Sequence, residues 1–348
     1  MKAFIVFLTA LCFQLLLPHL AFAQYAYVPP KGTGNYSIFF QNYFTNQHFA
    51  QDGTRFDVGH ITESAMIQEV EYSLTHRLAL TLSLPFVWSK YNGGYPHKSP
   101  GNYWDDGSYH QTFQDFRFSA RYQFVSRPLN IIPFIQGNIP SHDYELFAHS
   151  NVGYGLKELR LGVAVGRTIT RRSAFSVQYA YGIVQETLGV RPNRSLVRSQ
   201  FQYVVPHLNN RLIVSALQGA QFSHSGLDFP ADFSCGNVGQ TNCTYKDPYW
   251  FHHSQVWKSS YLNLGASVGY TLTKSGSVEI LGNYITDVWG ESGHVLNRGL
   301  GVGINYNFQT RYYDEKKSLA SSKESCGVAC RKCQAIFQPF KRTPTPGR

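Results

Sequence analysis

Ionisable side chains recur at every second position in several otherwise apolar stretches of this 348-residue chain. Glu69 and Glu71 do so, then Asp115, Arg117 and Arg121, then Glu158 and Arg160, with Arg198 and Glu279 in later stretches. A period of two is the period of a β-strand, so these nine groups are expected on one face of a sheet whose other face is apolar. Two chemistries fit them. They line a permeation path whose field acts on a passing solute, or they cancel one another as cross-strand ion pairs inside a narrow barrel. Five acids stand against four arginines, so no charge selectivity follows from the set.

Other reactive residues carry less. Cys235 and Cys243 bracket seven residues in CGNVGQTNC and are expected to form a disulfide, provided that the segment is an exported loop. Cys326, Cys330 and Cys333 have CxxxC and CxxC spacings, but a soft metal site wants four ligands and no histidine follows. One bridge plus a free thiol or an intermolecular bond is the reading, and neither a metal site nor a cofactor is expected. His252 and Ser254 would share a face at a strand mouth, as in an outer-membrane lipid hydrolase. Such a site also needs a residue to orient the histidine and an oxyanion partner. No surrounding motif supplies them, so no catalytic residue is assigned and the hydrolase stays a minor alternative.

The elements that position these groups read as long strands. In Gly299–Phe308, Leu300, Val302, Ile304, Tyr306 and Phe308 alternate with Gly299, Gly301, Gly303, Asn305 and Asn307. A face of glycine and asparagine has no second oily layer to pack on, so it is expected to meet water or a polar lumen. Around the Thr75–Arg77 turn, Met66–Leu74 and Leu78–Trp88 form the clearest hairpin. Eleven or more residues at ~3.3 Å each, tilted, cross a bilayer core, whereas soluble strands usually stop at about half that length. Twelve strands are expected between residues 24 and 308, the tenth starting at Val256. Short connections (75–77, 126–130, 168–172, 206–211, 273–276) alternate with longer ones, including 46–62 and 224–253. Short turns belong on the periplasmic side of an outer-membrane barrel, and an even strand count leaves both termini there. Trp88, Tyr91, Trp257, Tyr270 and Trp289 are expected in the interfacial girdles.

Export follows from the N-terminus, where Lys2, the apolar run Ala3–Leu17 and Ala21-Phe22-Ala23 have the form of a signal peptide over residues 1–23. The net charge of +10 does not point to nucleic acid. In residues 309–348, nine Lys or Arg stand against three acids, leaving the barrel region near neutral and a basic, cysteine-containing periplasmic tail expected to lack order. The partners implied are outer-membrane lipid and lipopolysaccharide, the barrel-assembly machinery and a small-molecule solute.

Glu71-Tyr72-Ser73-Leu74-Thr75-His76-Arg77-Leu78, Leu84-Pro85-Phe86, Gln114-Asp115-Phe116-Arg117 ahead of Arg121-Tyr122, and the glycine-rich 151–155 give the chain a family resemblance. It resembles the outer-membrane transporters named for the MetA pathway of phenol degradation, over roughly residues 28–308. Ser73 and His76 depart from that family's pattern. The resemblance implies an all-β, up-and-down antiparallel barrel in the bacterial outer membrane that passively admits small hydrophobic or aromatic molecules. A surface or structural barrel with a plugged lumen is the alternative.

Overall fold

A computed structural model describes residues 26–93, 105–146, 148–229 and 252–310. Its strands are β1 (Thr33–Phe49), β2 (Arg55–Ser73), β3 (Leu78–Asn92), β4 (His110–Phe113), β5 (Asp115–Tyr122), β6 (Asn130–Pro140) and β7 (Glu158–Thr170). They continue with β8 (Ser173–Val184), β9 (Arg194–Val205), β10 (Leu212–Ser223), β11 (Ser260–Thr271), β12 (Val278–Glu291), β13 (Gly293–Val295) and β14 (Arg298–Gln309). Each pairs antiparallel with its neighbour, and β1 pairs with both β2 and β14, so the sheet closes on itself. Closure removes both edges, which is what lets strands cross a bilayer with every backbone group paired.

The barrel has twelve staves. β4 and β5 both pair with β3 and form one stave, broken at Gln114. The break has a local cause: Pro85 of β3 lies there and has no N–H to donate, so its carbonyl accepts from Gln114 N–H at 2.9 Å while the ladder slips past it. β13 is an accessory strand that pairs with the end of β1.

The outward residues are those the alternation selects. Leu82, Phe116, Phe118, Leu161, Tyr181, Leu264, Val268, Leu300, Val302, Ile304 and Tyr306 are all exposed, as a lipid-facing band must be. Phe86 meets Trp88 and Phe113 edge-on at 5.2 and 5.1 Å, and Trp88 also meets Phe40. Among the described residues no helix is long and apolar enough to cross a membrane.

Four expectations are corrected. The outer connection expected over 46–62 shrinks to residues 50–54, because β1 and β2 climb past the bilayer as a paired ribbon. The tenth long strand does not start at Val256. Residues His253–Val256 form one helical turn, and β11 begins at Ser260. Only part of the face of β14 expected to meet water or a polar lumen does so: Asn305 and Asn307 bond Asn35 and Asn307 is exposed, whereas the rings of Phe39 and Tyr43 on β1 lie across the glycines, and a Cβ on Gly299 would come within 2.9 Å of the Tyr43 ring. Glycine lets a neighbouring aromatic lie flat on the sheet. Finally, Tyr91 and Trp257 are 2 % and 4 % exposed and belong inside the outer mouth, not to a lipid girdle.

Candidate functional site

Seen from the periplasmic end, the lumen begins with a stopper. Ala26 and Val28, ahead of β1, pack on Ala79, Ile132, Phe134, Ala164 and Ala180, inward residues of β3, β6, β7 and β8. Val28 N–H donates to Gln123 Oε1 at 3.3 Å, and Arg121 Nη1 donates to Tyr27 O at 3.4 Å. The apolar floor is what seats a segment of Ala and Val there.

Above it lies a belt of charge. Arg121 pairs with Glu71 across β3. Glu158 accepts from Arg160 Nη2 at 2.6 Å and from Arg194 Nε and Nη2 at 3.0 and 2.9 Å. Asp115 accepts from the Tyr144 hydroxyl at 2.7 Å, Arg117 donates to Gln114, and Asn305 hydrogen-bonds Glu279. Glu69 lies beside Glu71 and Arg121. Arg198, by contrast, points inward and is nevertheless exposed, and Tyr154, also inside the barrel, has 46 % of its surface accessible. An inward side chain is accessible only where the lumen is hollow. At this level a small cleft, with room for about one water, is lined by Gln136, Arg160, Gln178, Ala180, Leu196 and Arg198.

The segment 141–157 between β6 and β7 narrows the lumen by folding into it. Tyr144 is its latch: its hydroxyl donates to Asp115 and accepts from Gly155 N–H at 2.9 Å. Burial, and next the Asp115 carboxylate, push the Tyr144 hydroxyl up, so it stays a protonated donor. Gln114 Nε2 donates to Val152 O at 2.7 Å, and Tyr144 and Val152 pack on Ala65 and Val87. The same segment carries Tyr154 to the belt, where the Arg194 guanidinium sits 5.6 Å over its ring.

The outer mouth is covered by a buried cap. His48 of β1 and His294 of β13 are direct cross-strand partners. His149 comes from the 3₁₀ turn Ala148–Ser150 and His253 from the helical turn before β11. Nε2 of His48 lies 3.2 Å from Nε2 of His149, Nε2 of His253 lies 3.2 Å from Nε2 of His294, and one ring nitrogen from each of the four falls within 4.8 Å of all the others. His48, His149 and His253 are buried. Phe56, Phe229 and Trp257 pack ring to ring on His48, with Val256 in the same apolar cluster, and Tyr91 stacks on His149 at 4.6 Å. Asp105, fully buried, accepts from the N–H groups of His149 and Ser150 and places Oδ2 3.7 Å from His149 Nδ1.

Of the nine groups expected inside, the structure joins Glu71 to Arg121 and Glu158 to Arg160, while Arg198 faces inward and is exposed. Sequence reasoning missed Arg194, which completes the Glu158 cluster, and Glu63, which shares the belt with Arg117. It also missed the four histidines, which lie 101, 104 and 41 residues apart along the chain and form no motif. No shared local pattern marks them: His48 and His294 lie in strands, His149 in a 3₁₀ turn and His253 between His252 and Ser254. His252 and Ser254 are part of a helical turn and not a strand face, and His252 Nδ1 is bonded to Gln255 Oε1 at 2.6 Å. Cys235, Cys243, Cys326, Cys330 and Cys333, the signal-peptide segment and the tail lie outside the described residues.

No family model matches the chain, and no curated protein matches it. Solved structures do. The crystal structure of an outer membrane channel from Pseudomonas putida F1 superposes with a TM-score of 0.61 at 14 % identity, covering 83 % of this chain and all of that one. The NanC porin matches at a TM-score of 0.45 and 10 % identity over 78 % of this chain and 98 % of the porin. The translocator domain of the autotransporter NalP from Neisseria meningitidis matches at 0.42 and 12 % identity over 80 % of this chain and 90 % of the domain. The fold is that of the outer-membrane β-barrels.

Proposed function

We propose that the protein is an outer-membrane channel for passive entry of small molecules, with its outer connections as the gate. The observation that carries this reading is the accessible surface of Arg198 and Tyr154, two inward side chains in the middle of the barrel. A barrel serving only as a structural wall would fill that level with side chains, as narrow barrels do. The solute class we assign is small aromatic or apolar molecules. Phe39, Tyr43, Tyr154 and Tyr261 supply ring faces within the same lumen as Arg117 and Arg198, and the resemblance to transporters named for phenol degradation supports the same class.

Proteoliposomes containing the purified barrel test this directly. Swelling in a small phenolic solute faster than in a disaccharide of similar concentration, together with unitary steps in a planar bilayer, is expected. Lipid vesicles that neither swell nor conduct after reconstitution of heat-modifiable, folded protein would assign the plugged structural barrel instead.

A further inference from the structure

Nothing in solute passage requires four histidines in a dry pocket. We propose that His48, His149, His253 and His294 bind one divalent first-row transition ion, which fastens four separate segments over the outer mouth.

The geometry is that of a ligand set. Metal–imidazole bonds of about 2.0–2.1 Å place the nitrogens of a tetrahedral site roughly 3.3–3.4 Å apart. Two of the nitrogen pairs stand at 3.2 Å, and no pair in the set exceeds 4.8 Å, so closing on an ion takes displacements of ångström order or less. Four imidazoles and no carboxylate among the ligands select zinc, nickel or copper over magnesium and calcium, which take oxygen ligands.

The surroundings have the parts a metal site needs. A ligating histidine usually donates its other ring nitrogen to a carboxylate or carbonyl. Asp105 stands 3.7 Å from His149 Nδ1, is itself oriented by the N–H groups of His149 and Ser150, and supplies one negative charge against the cation. Phe56, Phe229, Val256 and Trp257 form the apolar cluster beside it. The plain alternative is two neutral histidine pairs that only fill space. An apolar pocket is filled at lower cost by apolar side chains, because a buried imidazole costs free energy unless each polar nitrogen is satisfied. Convergence of all four rings on one point is what space-filling does not require.

The consequence is mechanical. His48 belongs to the β1 ribbon, His149 to the inward-folded segment 141–157, His253 to the approach to β11, and His294 to β13. One ion joins all four. The 141–157 segment also carries Tyr154 into the lumen, so the ion fixes the segment that narrows the path.

The test uses the full chain in detergent, with all six cysteines changed to serine so that thiolates bind nothing, stripped with a chelator and titrated with ZnCl₂. One Zn²⁺ per chain is expected, and Co²⁺ in its place should give the intense visible absorption of a tetrahedral site without thiolate bands. His48→Ala/His294→Ala should abolish the one-to-one binding, whereas His142→Ala and His224→Ala should leave it intact. Asp105→Asn should weaken it about 10- to 100-fold, the usual cost of a lost outer-shell partner. Should the double variant fail to fold, His294→Ala alone, at the least buried of the four positions, is read for the same loss. Parent protein that binds no stoichiometric ion, or binding that survives loss of the histidines, overturns the proposal. Metal binding without conductance would sink only the channel reading, and conductance without metal binding only this one.

Discussion

Glu158→Gln is the perturbation whose size the geometry fixes best. Glu158 is 3 % exposed and takes three hydrogen bonds from Arg160 and Arg194, whose side chains are 20 % and 13 % exposed. Glutamine keeps the volume and removes the charge, leaving two guanidinium groups with no acid between them and Arg198 close by. Opposite charges at ~4 Å are worth about 4 kcal/mol at an effective dielectric of 20. Removing one partner of a buried pair measures roughly 3–5 kcal/mol, since the other charge stays buried. Arg198 beside the cluster is exposed and the Arg160 side chain is itself 20 % exposed, so the lower end applies: about 3 kcal/mol. Urea unfolding of the barrel in lipid vesicles reads this, with Glu186→Gln as the comparison. Glu186 pairs with Arg191 where both are 55 % exposed, and its loss should change stability by no more than about 0.5 kcal/mol. The same change removes one negative charge from the hollow part of the lumen, so the reversal potential in a salt gradient should move toward anions. Equal stabilities of the Glu158 and Glu186 variants, with an unmoved reversal potential, would refute both the burial of this cluster and its place on the path.

Three further outcomes follow from other levels of the barrel. Gly303→Val places a Cβ against the Phe39 ring and 2.8 Å from the Ile38 carbonyl oxygen, so a loss of about 1–3 kcal/mol is expected in the same unfolding assay. Phe39→Ala should relieve it only in part, because the backbone contact stays. Ala26→Asp with Val28→Asp puts charge on the apolar floor formed with Ala79, Ile132 and Phe134, and should release the stopper and raise mean conductance in planar bilayers. Zinc at 100 times its dissociation constant should stabilise the folded barrel by about 2.7 kcal/mol, and a chelator should remove that gain in thermal unfolding followed by strand dichroism.

The barrel was legible because lipid on one side and a polar lumen on the other impose a period of two over lengths no soluble strand needs. Leu300, Val302, Ile304 and Tyr306 on β14 show it most clearly, and all four are exposed. Alternation reports only which side a residue takes, however, and not what covers it there. That is why Gly299, Gly301 and Gly303 read as a wet face when Phe39 and Tyr43 lie across them. Composition misled in the same way at Tyr91 and Trp257, aromatic residues near strand ends whose place inside the mouth depends on how distant connections fold over them. Ion pairs between inward residues of nearby staves, such as Glu71 with Arg121 across β3, were within reach of pattern reading. Arg194 was missed because it opens its strand, before the alternation is established. The histidines were beyond reach for a stronger reason: no spacing along one element brings them together, only closure of the barrel does.

The two ends of the lumen differ in how they are held, and the difference bears on which one opens. The periplasmic stopper rests on small apolar contacts of Ala26 and Val28 and on bonds of 3.3 and 3.4 Å from Val28 N–H and Arg121. Single bonds of this kind contribute about 1 kcal/mol each, so the stopper is the more weakly held of the two ends. The outer cap is held by a ladder pairing between β1 and β13, the Tyr144–Asp115 latch, aromatic packing on Trp257 and four convergent histidines. Those contacts are lost together or not at all, because segment 141–157 cannot lift while His149 stays among the other three rings. On the channel reading proposed above, entry is then controlled from outside, and an event that loosens the histidine cluster opens the path more than any change in the belt beneath it.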